Sequence, residues 1–309
     1  MRVLVAGSTG AIGKPLLSCL DDAGHQLFAL VRSPKTAGAI EPEGVHEVVA
    51  DALDAAAVLQ AVQQIKPDVI INELTSLPKR YTPAEMKTAS PRDKQVRVTG
   101  NANLLAAARA TNCRRYVLQS SAFWYAPGPG LADETTPFAF DASPGIATGC
   151  RTYADLEAAA QESGLHTVLL RYGFFYGPGT WFSPTGDVGE QVRQRQVPVI
   201  GNGEGIWNWV HIDDAAAATC AALTADPGVY NVVGDQPMAQ SAWLPAFAKF
   251  VGAPEPPTVS EEQALQNAGP DSVYYATKLR GASNHKAKAQ LAFRPRPLEW
   301  IGARAGASV

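Results

Sequence analysis

Residues 2–6, RVLVA, form an apolar run of strand length, and glycines 7, 10 and 13 follow before residues 14–23 recur at helical spacing. The same alternation returns along the chain. Residues 25–31, 45–50, 68–72 (DVIIN), 114–121 (RRYVLQSS) and 166–171 (HTVLLR) read as strands, with helices over 54–64, 90–111 and 149–163. In the helix over 90–111, the apolar residues Val96, Val98, Leu104 and Leu105 are expected to face the core. Strands alternating with helices predict an α/β fold with a doubly wound parallel sheet. Beyond residue 172 the pattern loosens. Short strands VPVI, WNWVHI and GVYNVV, and helices over 188–195 and 213–223, predict a smaller C-terminal α/β region.

A strand, a glycine turn and a helix together suit a dinucleotide. Gly7 lets the chain leave the strand sharply, Gly10 admits backbone to a pyrophosphate, and Gly13 is expected to let the helix pack close to the sheet. Thr9, Ala11 and Ile12 complete the loop, and the helix N-terminus offers N–H groups to phosphate. We therefore expect an NAD(P)-binding Rossmann-type domain over 1–172 and a substrate-binding region over 173–309, with segments that interleave. Arg32 ends the second strand about twenty residues past the glycines, where an acid would suit NAD and arginine suits the 2′-phosphate of NADP. With Ser33 and Lys35 nearby, this favours NADP(H) over NAD(H), the bland alternative being a solvated charge at a strand end.

Ligands of open parallel sheets lie at the carboxyl ends of the strands. Asp51 and Ala52 after the third strand, with the carboxylate aimed at the adenine edge, and Leu74, Thr75 and Ser76 after the fourth are the cofactor-site candidates there, though turn formation would equally use them. Ser120 and Ser121 end the fifth strand, with Ser120 read as a cofactor contact and Ser121 as the group that orients a substrate carbonyl. Asp54 is expected to cap the helix that follows it.

Net charge is −3 with both signs mixed along the chain, so no nucleic-acid footprint is present and the expected partner is a small molecule. The four cysteines lie far apart without histidine neighbours, which argues against a disulfide framework or a metal site. The chain opens on a core strand instead of a signal peptide and has no membrane-length apolar run, so a cytoplasmic protein is expected.

GSTGAIG, ADALD, PDVII, VTGNANLLAAA, YVLQSSAFWYA, LLRYGFFYGPGT, GNGEGIWNWVHIDDAAAA and GVYNVVGDQP occur in family order, and with them the chain resembles the extended short-chain dehydrogenase/reductase family, NAD-dependent epimerase/dehydratases included. The resemblance implies a catalytic Ser/Thr at Ser121, cofactor contacts at Tyr172, Gly173 and Phe174, and a dimer through the long helices. It also implies a tyrosine and a lysine one helical turn apart, the lysine lowering the tyrosine pKa and holding the ribose. Glu157 and Arg171 match two family anchors, which puts the lysine position at Tyr153 and the tyrosine position at Gly149. The usual pair is absent, and Gly149 is expected to leave room beside the nicotinamide. Tyr153 becomes the candidate for the missing proton donor, with Tyr125, Arg151, Tyr172 and Tyr176 as further donors. His211 is either a site residue or a helix cap. Phe123, Trp124, Phe174, Phe175, Trp181 and Phe182 suit an apolar substrate or a plain core.

The expected function is an NADP(H)-dependent oxidoreductase acting on a small, apolar carbonyl, alcohol or conjugated substrate. The alternatives are a sugar epimerase or dehydratase, a non-redox NADP(H) sensor, and a cyclase or lyase.

Overall fold

The computed structural model describes residues 1–33, 40 and 42–302. The chain runs β1 (Arg2–Ala6), α1 (Gly13–Asp22), β2 (Gln26–Val31), β3 (His46–Val49), α2 (Ala55–Ile65), β4 (Val69–Asn72), α3 (Pro83–Ala110), β5 (Arg115–Ser121), α4 (Pro144–Gln161) and β6 (His166–Tyr172). There follow β7 (Phe174–Tyr176), α5 (Asp187–Arg193), β8 (Val199–Ile200), β9 (Ile206–Trp207), β10 (Trp209–His211), α6 (Ile212–Ala221), β11 (Gly228–Val232), β12 (Met238–Ala239) and α7 (Gln240–Phe250). The last elements are β13 (Thr258–Val259), α8 (Glu261–Ala268), α9 (Pro270–Thr277), α10 (His285–Gln290) and α11 (Glu299–Gly302).

Seven strands make one sheet in the order β11-β6-β5-β4-β1-β2-β3, every neighbour parallel. The inner strands are apolar because helices cover both faces. Leu16, Leu17 and Leu20 of α1 and Ala215 and Ala216 of α6 pack on one face, and Val58 and Val62 of α2 with Leu104 and Leu105 of α3 pack on the other. The chain order reverses between β1 and β4, which opens a crevice at their carboxyl ends. Elements beyond residue 172 return to this layer: β11 pairs with β6 and α6 packs on α1.

Asp54 caps α2 by accepting from the Ala56 and Ala57 N–H groups, as its position predicts. Two helices begin earlier than their patterns indicate. The Thr82 side chain caps α3, which carries Pro91 inside it, and α4 starts at Pro144. The expected phase of α3 is also corrected. Val98 is 40% exposed and Val96 only half-buried, whereas Arg97, Gly100 and Asn101 face inward beside Leu104 and Leu105.

The smaller region is built on aromatic rings, with Phe174, Phe182, Trp207, Trp209, Trp243 and Phe247 in one cluster. The loop after β4 is strapped to it. Asp187 of α5 accepts from the Tyr81 N–H at 2.7 Å and pairs with Arg80 at 3.4 Å, and the Trp181 indole donates to the Lys79 carbonyl at 3.0 Å. Among the described residues, no helix is long and apolar enough to cross a membrane.

Candidate active site

The turn between β1 and α1 is closed by its own backbone. Gly10 N–H donates to the Gly7 carbonyl at 2.9 Å, and Gly13 N–H donates to the Gly10 carbonyl at 3.0 Å. Gly7 has φ +93°, and a Cβ there would stand 2.4 Å from the Glu73 carbonyl oxygen. A Cβ on Gly13 would stand 1.9 Å from the Ser8 carbonyl oxygen. This corrects the expected reason for Gly13, since the crowding comes from the turn itself and not from the sheet. Ile12 is buried and α1 has no side-chain cap, while Thr9, Gly10 and Ala11 are exposed. The buried Ser8 hydroxyl has no hydrogen-bond partner among the described residues. A tight turn with uncapped first-turn donors fits the pyrophosphate of a dinucleotide.

Arg32 is exposed directly after β2, Ser33 is half-buried, and Lys35 lies outside the described residues. Asp51 accepts from the Leu53 N–H at 3.0 Å, and Ala52 is buried against Gly100 of α3.

At the end of β4, Asn72 is held by Asn101 and Tyr116, and the Ser76 N–H donates to Asp93 at 2.6 Å. Leu74 and Thr75 are half-buried between them. Glu73 is buried against Gly7, accepting from the Tyr172 hydroxyl at 3.0 Å, while its second carboxyl oxygen has no partner among the described residues. Burial pushes its carboxyl up to about 8, with the Tyr172 hydrogen bond and the Arg97 charge opposing. A neutral carboxyl beneath the turn does not repel phosphate. An unfolded glutamate ionises near 4.5, so between 4.5 and about 8 the unfolded chain releases a proton that the folded chain keeps, and stability falls as pH rises. Glu73→Gln should leave the unfolding free energy unchanged near pH 4.5 and raise it toward pH 8, by up to about 4 kcal/mol, with Tm following. Thermal melts at both pH values check this, and an equal offset at the two would contradict it.

Successive residues of β5 point to opposite faces. The Ser120 hydroxyl donates to Glu157 at 2.5 Å, and Glu157 in turn holds Arg171 through two bonds of 2.8 and 2.6 Å. The Ser120 hydroxyl hydrogen is therefore committed to this buried pair. The two anchors that fix the family register thus touch each other. Ser121 is 1% exposed and accepts from the Phe123 N–H at 3.2 Å, which leaves its hydroxyl hydrogen for another acceptor.

On α4 the space expected beside Gly149 is filled. A Cβ there would stand 2.4 Å from the Trp124 ring, so the glycine admits an indole, held by its N–H to the Tyr275 hydroxyl at 3.0 Å. Tyr153, one turn on, lies 5.8 Å from Trp124, centroid to centroid. Burial raises its phenol above the usual value, against the Arg97 charge. The Arg97 guanidinium sits 5.2 Å from the Tyr153 ring centroid. Sequence reasoning missed Arg97, Glu73 and the filling role of Trp124. Only the Asp93/Arg97 spacing of one turn could have hinted at the first.

The other expected donors are not at this centre. Tyr172 is 2% exposed, its hydroxyl bonded to Glu73 and to Thr219 at 2.6 Å, so its side chain belongs to the core below. Tyr125 is buried between Asn231 and Arg171, Tyr176 packs on His211 and Trp300, and Arg151 is exposed. His211 caps α6, accepting from the Asp213 N–H at 3.2 Å. Gly173 packs on the Asn208 backbone, and Phe174 is stacked between Phe123 at 4.0 Å and Trp207 at 4.2 Å. Phe175 turns to the sheet core beside Tyr172.

Comparison with known proteins agrees with this geometry. The model of the NAD dependent epimerase/dehydratase family matches residues 3–233. A 3-diazoavenalumate denitrifying reductase from a Streptomyces species is 40% identical over 97% of this chain and 98% of its own. A 2-alkyl-3-oxoalkanoate reductase from Stenotrophomonas maltophilia is 28% identical over 82% of this chain and 77% of its own. The fold is that of Thermus thermophilus UDP-glucose 4-epimerase, solved with NAD, at TM-score 0.72 and 23% identity, covering 98% of this chain and 96% of that one. The chain belongs to the NAD dependent epimerase/dehydratase family and is an NAD(P)-dependent oxidoreductase.

Proposed function

We propose that this chain is an NADPH-dependent reductase that removes the nitrogen of an aromatic diazo compound, replacing it with hydrogen. The observation that carries the reading is the pair of positions on α4. Where the family has its proton-transferring tyrosine and lysine, this chain has Gly149 filled by Trp124, and Tyr153 faced by Arg97.

Reducing a ketone forms an alkoxide that needs a proton, which the tyrosine and lysine deliver. Replacing a diazonium needs none: the C–N bond breaks, a C–H bond forms with both electrons of the hydride, and N2 leaves. NADPH, when bound, supplies that hydride. The chain's own residues hold and orient. The turn from Gly7 to Gly13 would take the pyrophosphate, and Arg32 the 2′-phosphate that distinguishes NADPH from NADH. The Phe123, Trp124 and Tyr275 rings offer flat apolar faces to an arene, and such faces also favour a cationic diazonium. Ser121 offers its hydroxyl hydrogen to an oxygen substituent of the ring. The activity named for the Streptomyces relative supports the same substrate class.

The test follows NADPH consumption with a hydroxyarenediazonium and with a panel of ketones. The diazonium should be consumed at a rate that varies less than about twofold between pH 6 and 7.5, because no protein group has to donate a proton. Tyr153→Phe should keep that rate, and Ser121→Ala should lower it about tenfold. Turnover of ketones alone, with Tyr153→Phe inactive, would instead make the chain a carbonyl reductase.

A further inference from the structure

Arg97 is 7% exposed, and among the described residues only its Nε makes a hydrogen bond. Its Nε donates to Asp93 Oδ2 at 2.7 Å, one turn back on α3, and the other oxygen of Asp93 accepts from the Ser76 N–H. Among the described residues, neither terminal amino group has a hydrogen-bond partner. A guanidinium with uncommitted amino groups is suited to a ligand. The cavity it enters lies at the carboxyl ends of β4 and β5 and is lined by Asn72, Leu74, Leu118, Gln119 and Leu156. Amino groups with uncommitted hydrogens match a ligand that accepts hydrogen bonds. The vicinal hydroxyls of a ribose accept in this way, and the guanidinium lies against Tyr153, which stands at the position of the ribose-holding lysine.

We infer that Arg97 anchors the ribose hydroxyls at the nicotinamide end of the dinucleotide, a cation supplied from α3 where α4 carries Tyr153 in the lysine position. It acts as a positioning residue. The guanidinium is fixed by Asp93 below and by the Tyr153 ring beside it, so little freedom is lost on binding. The inference rests on the dinucleotide site and not on the identity of the reduced substrate.

The test measures binary binding of NADPH by fluorescence titration, with no substrate present. Arg97→Met should weaken NADPH about 30-fold, and Arg97→Lys should stay within about fivefold of the parent. Arg97→Met combined with Tyr153→Lys should recover most of the loss, since it returns a cation to the same place from the other helix. Adenosine 2′,5′-bisphosphate, which lacks the nicotinamide half, should bind Arg97→Met as it binds the parent. Equal weakening of both ligands would mean that Arg97 only supports the fold. NADPH binding within about twofold of the parent in Arg97→Met would remove it from the site. Either result overturns the inference, and neither bears on the diazo reading.

Discussion

Gly13→Val should abolish dinucleotide binding, with NADPH affinity falling at least about 100-fold in a fluorescence titration. The reason is space and not backbone angle. A Cβ at this position would meet the Ser8 carbonyl oxygen at 1.9 Å and its carbon at 2.3 Å, so the conflict is with main chain and no rotamer relieves it. The turn would have to open, carrying the Gly10 N–H away from the Gly7 carbonyl and the first turn of α1 out of line. Even alanine should be enough. Gly24, at the far end of the same helix, is the control: it has φ +74° but nothing within 4 Å of an added Cβ. Gly24→Ala should cost about 1 kcal/mol of stability from backbone strain and leave NADPH affinity unchanged. Normal binding by Gly13→Ala would contradict the turn's assignment.

Arg171→Met should be the most destabilising single change to a charged residue in the domain, by about 3–5 kcal/mol in chemical denaturation. Both partners are buried, and Arg171 holds Glu157 through two bonds while also donating to the Tyr125 hydroxyl at 3.1 Å and lying 4.5 Å from the Phe138 ring centroid. Removing the guanidinium leaves a buried carboxylate whose one remaining hydrogen-bond partner among the described residues is the Ser120 hydroxyl. The penalty comes chiefly from that stranded charge, so Arg171→Met with Glu157→Met should recover a large part of the loss. A double variant no more stable than Arg171→Met would show that packing around Arg171, and not the pair, carries the energy.

The first strand, its glycine turn and the parallel frame were legible because local signals agree there: an apolar run, three glycines and a helical pattern. Glu157 and Arg171 could be found as register anchors, and their contact across α4 and β6 explains why both are needed. What escaped the sequence depends on tertiary placement. Arg97 one turn after Asp93 has the spacing of an ordinary solvated helix pair, and nothing local says that α3 turns that face inward while Val98 meets solvent. Gly149 leaves no space because its filler, Trp124, comes from a loop far back in the chain. Tyr172 sits at a strand end like a site residue, but the alternation of β6 sends its ring to the α1 and α6 face. GVYNVV is a good strand whose membership of the main sheet depends on which edge is free.

The central claim is that hydrogen reaches the substrate as hydride alone, without a proton relay on α4. It is tested by running the reaction in ordinary water with a hydroxyarenediazonium and NADPH carrying deuterium at both positions of nicotinamide C4, followed by mass spectrometry and NMR of the arene. Deuterium should occupy the ring carbon that carried nitrogen, and unlabelled NADPH in D2O should leave that carbon unlabelled. Deuterium arriving at that carbon from D2O would contradict the account.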